Sequence, residues 1–300
     1  MEASPTELRV LSWNLFHGRD APPDPSLFTL RSRLFREPED NGIFLQLNRP
    51  LREEFAATIA QAGWSLCLLQ EAPPSWSVAL AQRSWARACR VMTSRNQLRG
   101  LTSRLARWNP DLIASWEGGS NLTLVRPPWQ IVDRGCRSLP LNPLRRRLLI
   151  ERRRMGFVRI RLDGSGAEVC VANLHASTRP LNQTERELLL AARTAVAWSA
   201  GAPLVLGGDF NLRPSTAPAL FDRLRRELGF SGPTAPDAID HLLVRGLEIV
   251  KAPARWPEER RELELSTERG MRRVRLSDHT PVEGLFAVRR PRCDTTTVDG

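Results

Sequence analysis

Four apolar runs in this chain each end on a carboxylate, amide or imidazole side chain. They read Leu-Arg-Val-Leu-Ser-Trp-Asn14, Leu-Cys-Leu-Leu-Gln-Glu71, Val-Cys-Val-Ala-Asn173-Leu-His175 and Pro-Leu-Val-Leu-Gly-Gly-Asp209-Phe-Asn211. Short apolar runs of this kind are strands, and in open α/β sheets ligands bind outside the C-terminal strand ends. Residues two apart on a strand share a face, so Asp209 and Asn211 point the same way. The pattern therefore predicts polar groups from several strands converging at one sheet edge. Two later segments add to the set, Ala-Ile-Asp240-His241 opening a strand and Leu-Ser-Asp278-His279-Thr-Pro before the last one. Each of the four histidines, His17, His175, His241 and His279, lies in or beside one of these segments.

Between the strands the period changes. Strands are predicted at 8–13, 64–69, 121–125, 130–133, 157–162, 169–174, 204–206, 239–244 and 282–288, and helices at 50–62, 184–199 and 218–228. The second helix is expected to open on a Thr184-Glu-Arg-Glu capping box, and Gly63 and Gly229 stop the other two. Mixed strands and helices mean an α/β or α+β layer architecture. No repeat or linker divides the sequence, so we expect a single domain with its core at about 8–288, a surface insertion at 19–48 and a flexible tail at 289–300.

The net charge of +11 suits an acidic partner, but Lys251 is the single lysine among 44 basic residues, which reads first as arginine-heavy coding. Five cysteines (Cys67, Cys89, Cys136, Cys170, Cys293) form no CxxC pair and no metal-ligand spacing, so disulfides are not expected. Met1 to Glu7 lacks the basic start of a secretory signal, and the longest apolar run, Leu188 to Ala192, is far too short for a membrane span. A cytoplasmic monomer without stable membrane association is the expectation.

Carboxylates and amides without thiolates suit Mg²⁺ or Mn²⁺, and imidazoles beside such an ion suit proton transfer or stabilisation of growing phosphate charge. Metal-assisted phosphoester hydrolysis follows. Taken singly, the same residues have plainer readings: Asn14 and Glu71 as strand-end polars, Asp209-Phe-Asn211 and Asp278-His279-Thr-Pro as turns.

Their order decides. Trp13-Asn14, Gln70-Glu71, Asn173-Leu-His175, Gly208-Asp209-Phe-Asn211, Ile239-Asp240-His241 and Ser277-Asp278-His279 occur in the sequence order of the endonuclease/exonuclease/phosphatase superfamily, which the chain resembles from about Leu8 to Val288. The resemblance implies a four-layered sandwich of two mixed β-sheets flanked by helices, with the site at one end. It implies Glu71 as the main Mg²⁺ (or Mn²⁺) ligand with Asn14 and Asp278, Asp240 orienting His279 toward the scissile phosphate, and Asp209 activating water. It also implies Asn211 donating to a phosphate oxygen and His175 as the second histidine of the deoxyribonuclease I-like branch. The chain contains no tyrosine and so cannot supply the catalytic tyrosine of the exonuclease III-like branch. It also lacks the Pro-x-Trp-x-Asp-Arg signature of inositol polyphosphate 5-phosphatases.

The expected function is therefore a metal-dependent phosphodiesterase acting on DNA or RNA as its partner. The alternatives are an esterase for lipid or small phosphate esters, or a non-catalytic phosphate-binding module. Asn173 is expected as a supporting donor, while His17 and His241 read as neighbours of the site rather than catalysts. Of two arginine clusters, the one at Arg145–147 and Arg152–154 reads as a solvated face. The other, with Arg255, Arg260, Arg261, Arg269, Arg272, Arg273 and Arg275, lies ahead of Asp278-His279 and is expected to contact phosphates, above all through Arg272, Arg273 and Arg275.

Overall fold

The computed structural model describes residues 6–35, 37–93, 104–105, 108, 119–132, 136–142, 153–164, 166–178 and 180–288. In chain order its strands are β1 (Thr6–Asn14), β2 (Glu39–Asp40), β3 (Leu45–Gln46), β4 (Leu66–Ala72), β5 (Arg87–Met92), β6 (Ser120–Val125), β7 (Trp129–Ile131) and β8 (Arg137–Pro140). They continue as β9 (Arg154–Leu162), β10 (Glu168–His175), β11 (Leu204–Asp209), β12 (Asp240–Arg245), β13 (Glu248–Arg255), β14 (Glu262–Thr267), β15 (Gly270–Arg275) and β16 (Val282–Val288). The α-helices are α1 (Leu30–Phe35), α2 (Arg52–Gln61), α3 (Ser77–Arg83), α4 (Leu181–Ser199) and α5 (Pro218–Leu228).

Two mixed sheets face each other with helices outside. One runs β13-β16-β1-β4-β6-β5 and the other β12-β11-β10-β9-β7, with β8 also on β9. No repeat is visible in the sequence, yet the sheets repeat one plan. Each is built on a single parallel pair, β1 with β4 and β10 with β11, flanked by antiparallel neighbours. A parallel pair needs a crossover, which α2 and α4 provide.

Period-2 alternation separates three cores. Leu8, Val10, Leu66, Leu68, Val169, Val171 and Val205 fill the space between the sheets. Leu11, Trp13, Cys67 and Leu69 turn outward to Phe55 and Ile59 of α2 and Leu80 of α3. Cys170, Ala172, Leu204 and Leu206 turn outward to Leu188, Ala191 and Ala195 of α4 and Leu224 of α5.

The strands not foreseen are those without apolar runs. In β13 the exposed positions leave only Pro253 buried, and in β5 only Cys89 and Val91 are buried. The stretch expected as a connection before Asp278 folds as the β14–β15 hairpin. The 19–48 segment packs against this hairpin: Arg273 N–H donates to Ile43 O at 2.9 Å and Arg272 Nε to Asp40 Oδ1 at 2.6 Å.

Two expectations are corrected. Helix α4 starts at Leu181, not at a Thr184 capping box; Thr184 Oγ1 donates to Ser177 O at 2.8 Å, and the Glu187 carboxylate accepts from Ser177 N–H and Oγ–H. The competing interaction is with the loop after His175, which these bonds tie to the helix. A disulfide is also present, Cys89–Cys136, with Cα atoms 5.6 Å apart. Edge strand β5 and the approach to β8 adjoin across the sandwich, a proximity that sequence spacing does not reveal. The disulfide removes one ground for expecting a reducing compartment. Among the described residues no helix is long and apolar enough to cross a membrane.

His241 illustrates the outer layer. It is fully buried between the rings of Phe210 and Phe221, its Nε2 donates to Leu212 O at 3.1 Å, and its Nδ1 accepts from Thr234 N–H at 3.3 Å. Burial holds its pKa below the ordinary value, against the hydrogen bond to Leu212. The unfolded chain therefore binds its proton first, and stability declines as pH falls from about 6.5 toward the lower folded-state pKa. We expect His241→Ala to cost about 2–3 kcal/mol at pH 8 and to flatten this acid decline, both measured by urea unfolding between pH 5 and 8.

Candidate active site

The two parallel pairs bring their C-terminal ends to the same place. Asn14 is in register with Gln70 on one sheet, and His175 with Asp209 on the other. Along each of these strands the inward-facing positions change from apolar to polar: Val10, Ser12, Asn14; Leu68, Gln70; Val171, Asn173, His175; Val205, Gly207, Asp209. The polar ends bond across the gap. Gln70 Nε2 donates to Asn173 Oδ1 at 2.8 Å, and Asn14 Nδ2 donates to Asp209 Oδ2 at 3.0 Å.

Glu71 takes part because the β4 ladder breaks. Its φ is 48°, and the register with β6 shifts between Leu69 and Ala72, as in bulges that re-aim a side chain beside a site. Among the described residues eight non-glycine positions have positive φ, and five of them, Phe16, His17, Glu71, Asn211 and Ser277, are here. Such backbone is costly and persists where its surroundings enforce it.

Asp209 is the hub. Its Oδ2 accepts from Asn14 and lies 3.3 Å from His175 Nε2 and 3.9 Å from His279 Nε2, while its Oδ1 accepts from Asn211 N–H at 2.9 Å. His279 is held from both ends. Its Nδ1 donates to Asp240 Oδ2 at 2.8 Å, its backbone N–H donates to Ser277 Oγ at 3.0 Å, and its carbonyl accepts from Trp13 Nε1 at 2.9 Å. Ser277 Oγ in turn donates to Asn14 O at 2.6 Å, fastening the Asp278-His279 turn to the end of β1.

The charges are strongly coupled. Burial pushes the Asp209 carboxyl up to about 7, opposed by His279 and reinforced by Asp240 and Glu71. Burial also raises Asp278. It works against the charge of His279, but Asp240, Asp209 and Asp278 outweigh it and hold that imidazole well above its ordinary value. His175 goes the other way, pushed well below by burial, Arg153, His279 and His17.

The structure thus gathers Asn14, Glu71, His175, Asp209, Asn211, Asp240, Asp278 and His279. His17 joins them, its Nε2 3.2 Å from Glu71 Oε2. Arg153, which the sequence placed in a solvated charge run, is buried with Nη1 2.7 Å from His175 Nδ1 and also against Nε2. The signal for it is structural: Arg153 enters a strand antiparallel to β10, beside the end that carries His175. Arg145–147 and Arg152 lie outside the described residues.

Other residues stand apart from this group. Asn173 Nδ2 donates to Leu69 O and Leu122 O, so this side chain pins the sheets together below the site. Arg272 pairs with Asp40, while Arg273 and Arg275 pair with Glu262 at 3.1 and 2.8 Å, because acids and arginines oppose each other across the hairpin. The guanidinium groups of these three arginines, expected to contact phosphates, pair with acids of the hairpin and of the 19–48 segment.

The donor set fits a hard cation. Asp209 and Asp240 lie with His279 in a group whose polar atoms are all within 4.8 Å of one another, His279 as the charged donor and the carboxylates as hard ligands, and Asp240 Oδ1 is buried without a hydrogen-bond partner. Glu71 adds a carboxylate that repels both Asp278 and Asp209, a strain a divalent cation relieves. The thiols of Cys67 and Cys170 are buried in the outer cores.

Gly208 sets the end of β11. Its φ is 133°, and a Cβ there would stand 2.0 Å from Leu174 O. Gly208→Ala is expected to lose at least about 3 kcal/mol in urea unfolding, through backbone strain and overpacking between the strands that carry His175 and Asp209.

The endonuclease/exonuclease/phosphatase family model matches residues 11–279. Among solved structures, an endonuclease/exonuclease/phosphatase family protein from Bacteroides thetaiotaomicron superposes with TM-score 0.61 at 16% identity, covering 95% of this chain and 99% of that one. A mannosyl-6-phosphatase of the same organism gives TM-score 0.59 at 15% identity, covering 93% and 99%. The human Nocturnin catalytic domain with bound sulfate gives 0.58 at 14%, covering 94% of each. At these identities the likeness is one of fold. No curated protein sequence matches the chain. With the family match spanning nearly the whole sequence, this chain belongs to the endonuclease/exonuclease/phosphatase family.

Proposed function

We propose that the chain is a metal-dependent phosphodiesterase that cleaves nucleic acid by in-line attack of water. The observation that carries this reading is the pair of imidazoles, His175 and His279, both facing Asp209 Oδ2 from opposite sheets. On this reading Asp209, with its carboxyl raised to about 7, takes the proton of the attacking water. His279, kept charged by Asp240, donates from Nε2 to a phosphate oxygen as charge grows there. His175 is neutral, which fits hydrogen bonding to the phosphate better than protonating the leaving oxygen. Arg153 adds a buried cation beside it. Glu71, Asn14 and Asp278 would hold Mg²⁺ or Mn²⁺, which supplies charge neutralisation at the phosphate.

A second reading, small phosphate esters as substrate, draws support from the arginines. Arg255, Arg260, Arg261, Arg272, Arg273 and Arg275 are all paired with acids, so the segment before Asp278 is not an open cationic track for a long polyanion.

The test is turnover of single- and double-stranded DNA, RNA, a lipid phosphodiester and small phosphomonoesters, in Mg²⁺, Mn²⁺ or EDTA. We expect cleavage of nucleic acid that EDTA abolishes, and a loss of about 10²–10⁴-fold in Asp209→Asn and in His279→Ala. Turnover restricted to monoesters or lipid would refute the nuclease, and turnover indifferent to metal or to Asp209 would refute the mechanism. In Glu71→Gln the Mg²⁺ concentration giving half-maximal rate should rise at least about tenfold.

A further inference from the structure

One side of the first sheet is open. Strand β5 pairs with β6 and, among the described residues, has no strand on its other side. Thr93 N–H donates to Gly119 O at 2.9 Å, so the odd-numbered positions exchange bonds with β6 and the backbone N–H and C=O of Ala88 and Arg90 point to the open side. Neither residue meets a backbone partner there among the described residues. Cys89, bonded to Cys136, and Val91 are buried on the inner face and hold the strand in place.

Beside this edge, α3 and the outer face of β5 enclose a groove of about 760 Å³, lined by Val78, Ala81 and Gln82 of the helix and by Trp85, Ala88 and Arg90. Trp85 is the unusual residue. It sits just past the end of α3 with φ 52°, its N–H donating to Gln82 O at 3.2 Å. That left-handed position after a helix suits glycine and strains a bulky side chain. The indole gains no burial in return: it is 87% exposed, and Val78 in the same groove is 65% exposed. Local folding gives no reason for a tryptophan here, whereas an aromatic anchor at an interface does.

An open edge of this kind is a template for one more strand. What completes it is a backbone that alternates donors and acceptors at strand spacing. A nucleic acid or an acyl chain lacks that pattern; an extended peptide has it, and its alternate side chains fall into the groove. The charges choose among peptides. Arg90 lies in the groove, Arg83 lies beside Trp85, and Arg87 is exposed on the other face of the edge by strand alternation. Glu53, the acid that shares the hollow around Trp85 with Arg83, is paired with Arg52. A second copy of this chain, pairing edge to edge, would set these arginines against themselves. They oppose self-pairing and leave the edge open to an acidic strand.

We propose that the β5 edge is a docking site for an extended acidic segment of another protein, added beside β5 with apolar side chains against Trp85 and Val78 and carboxylates within reach of Arg87 and Arg90. The proposal is independent of the phosphodiesterase reading.

The test is fluorescence anisotropy of the full chain with a labelled eight-residue peptide that alternates valine and glutamate. We expect a Kd below about 1 mM, and no binding at that concentration overturns the proposal. The same peptide with its amides N-methylated, or with lysine in place of glutamate, should bind at least about tenfold more weakly; equal binding of either form overturns it. Trp85→Gly should weaken the glutamate peptide at least about tenfold while its urea midpoint stays no lower than that of the wild type, because glycine relieves the backbone. Unchanged binding, or a lowered midpoint that makes Trp85 a residue of the fold, contradicts its role as anchor. Arg87→Glu should shrink the preference for glutamate over lysine, and an unchanged preference refutes the charge match.

Discussion

Everything at the proposed catalytic end depends on hydrogen bonding across the sandwich between two opposed parallel strand pairs. Gln70 to Asn173 and Asn14 to Asp209 are buried side-chain bonds between sheets whose facing cores are largely aliphatic, and Asn173 and Asn121 add bonds to backbone carbonyls of the opposite sheet. Hydrophobic packing is non-directional and fixes the sheet separation without fixing their relative slide. Bonds with defined donor and acceptor positions do fix it. The Asn14–Asp209 contact holds the ends of β1 and β11 within one hydrogen bond of each other, and Ser277 then ties the Asp278-His279 turn to the same strand end.

The same geometry explains the electrostatics. Acids and imidazoles that would each stay solvated on a single exposed sheet are pressed together from two, and their protonation states diverge. Asp209 rises, His279 is stabilised as a cation by Asp240 and Asp209, and His175 is driven neutral by burial and Arg153. Groups of one chemical type pushed apart in this way are suited to different tasks in one reaction. Two histidines on opposite sides of one carboxylate therefore need not do the same work.

Much of the fold was legible in sequence because buried strands leave apolar runs. The runs ending at Asn14, Glu71, His175 and Asp209 marked both the strands and their functional ends, and the order of the six motifs carried the family. What escaped was set by pairing at a distance. The hairpin at 262–275 sets glutamates between leucines on one strand and arginines on the other, with no continuous apolar run to announce it, and ion pairs with Glu262 and Asp40 decide that Arg272, Arg273 and Arg275 face acids. Arg153 looked like one more surface charge until the antiparallel register of β9 on β10 set it beside His175. Cys89 and Cys136 became partners only when the edges of the two sheets adjoined. Glu71 was found by its motif, but the bulge that turns it into the site has no sequence signature beyond that motif.

The central claim is that Asp240 on one sheet and His279 on the other act as a unit, and a double-mutant cycle on phosphodiester cleavage tests it most directly. If Asp240 works only by orienting and charging His279, Asp240→Asn in a His279→Ala background adds almost nothing to the loss, as for residues acting as a unit. Losses that multiply in the double variant would contradict the account.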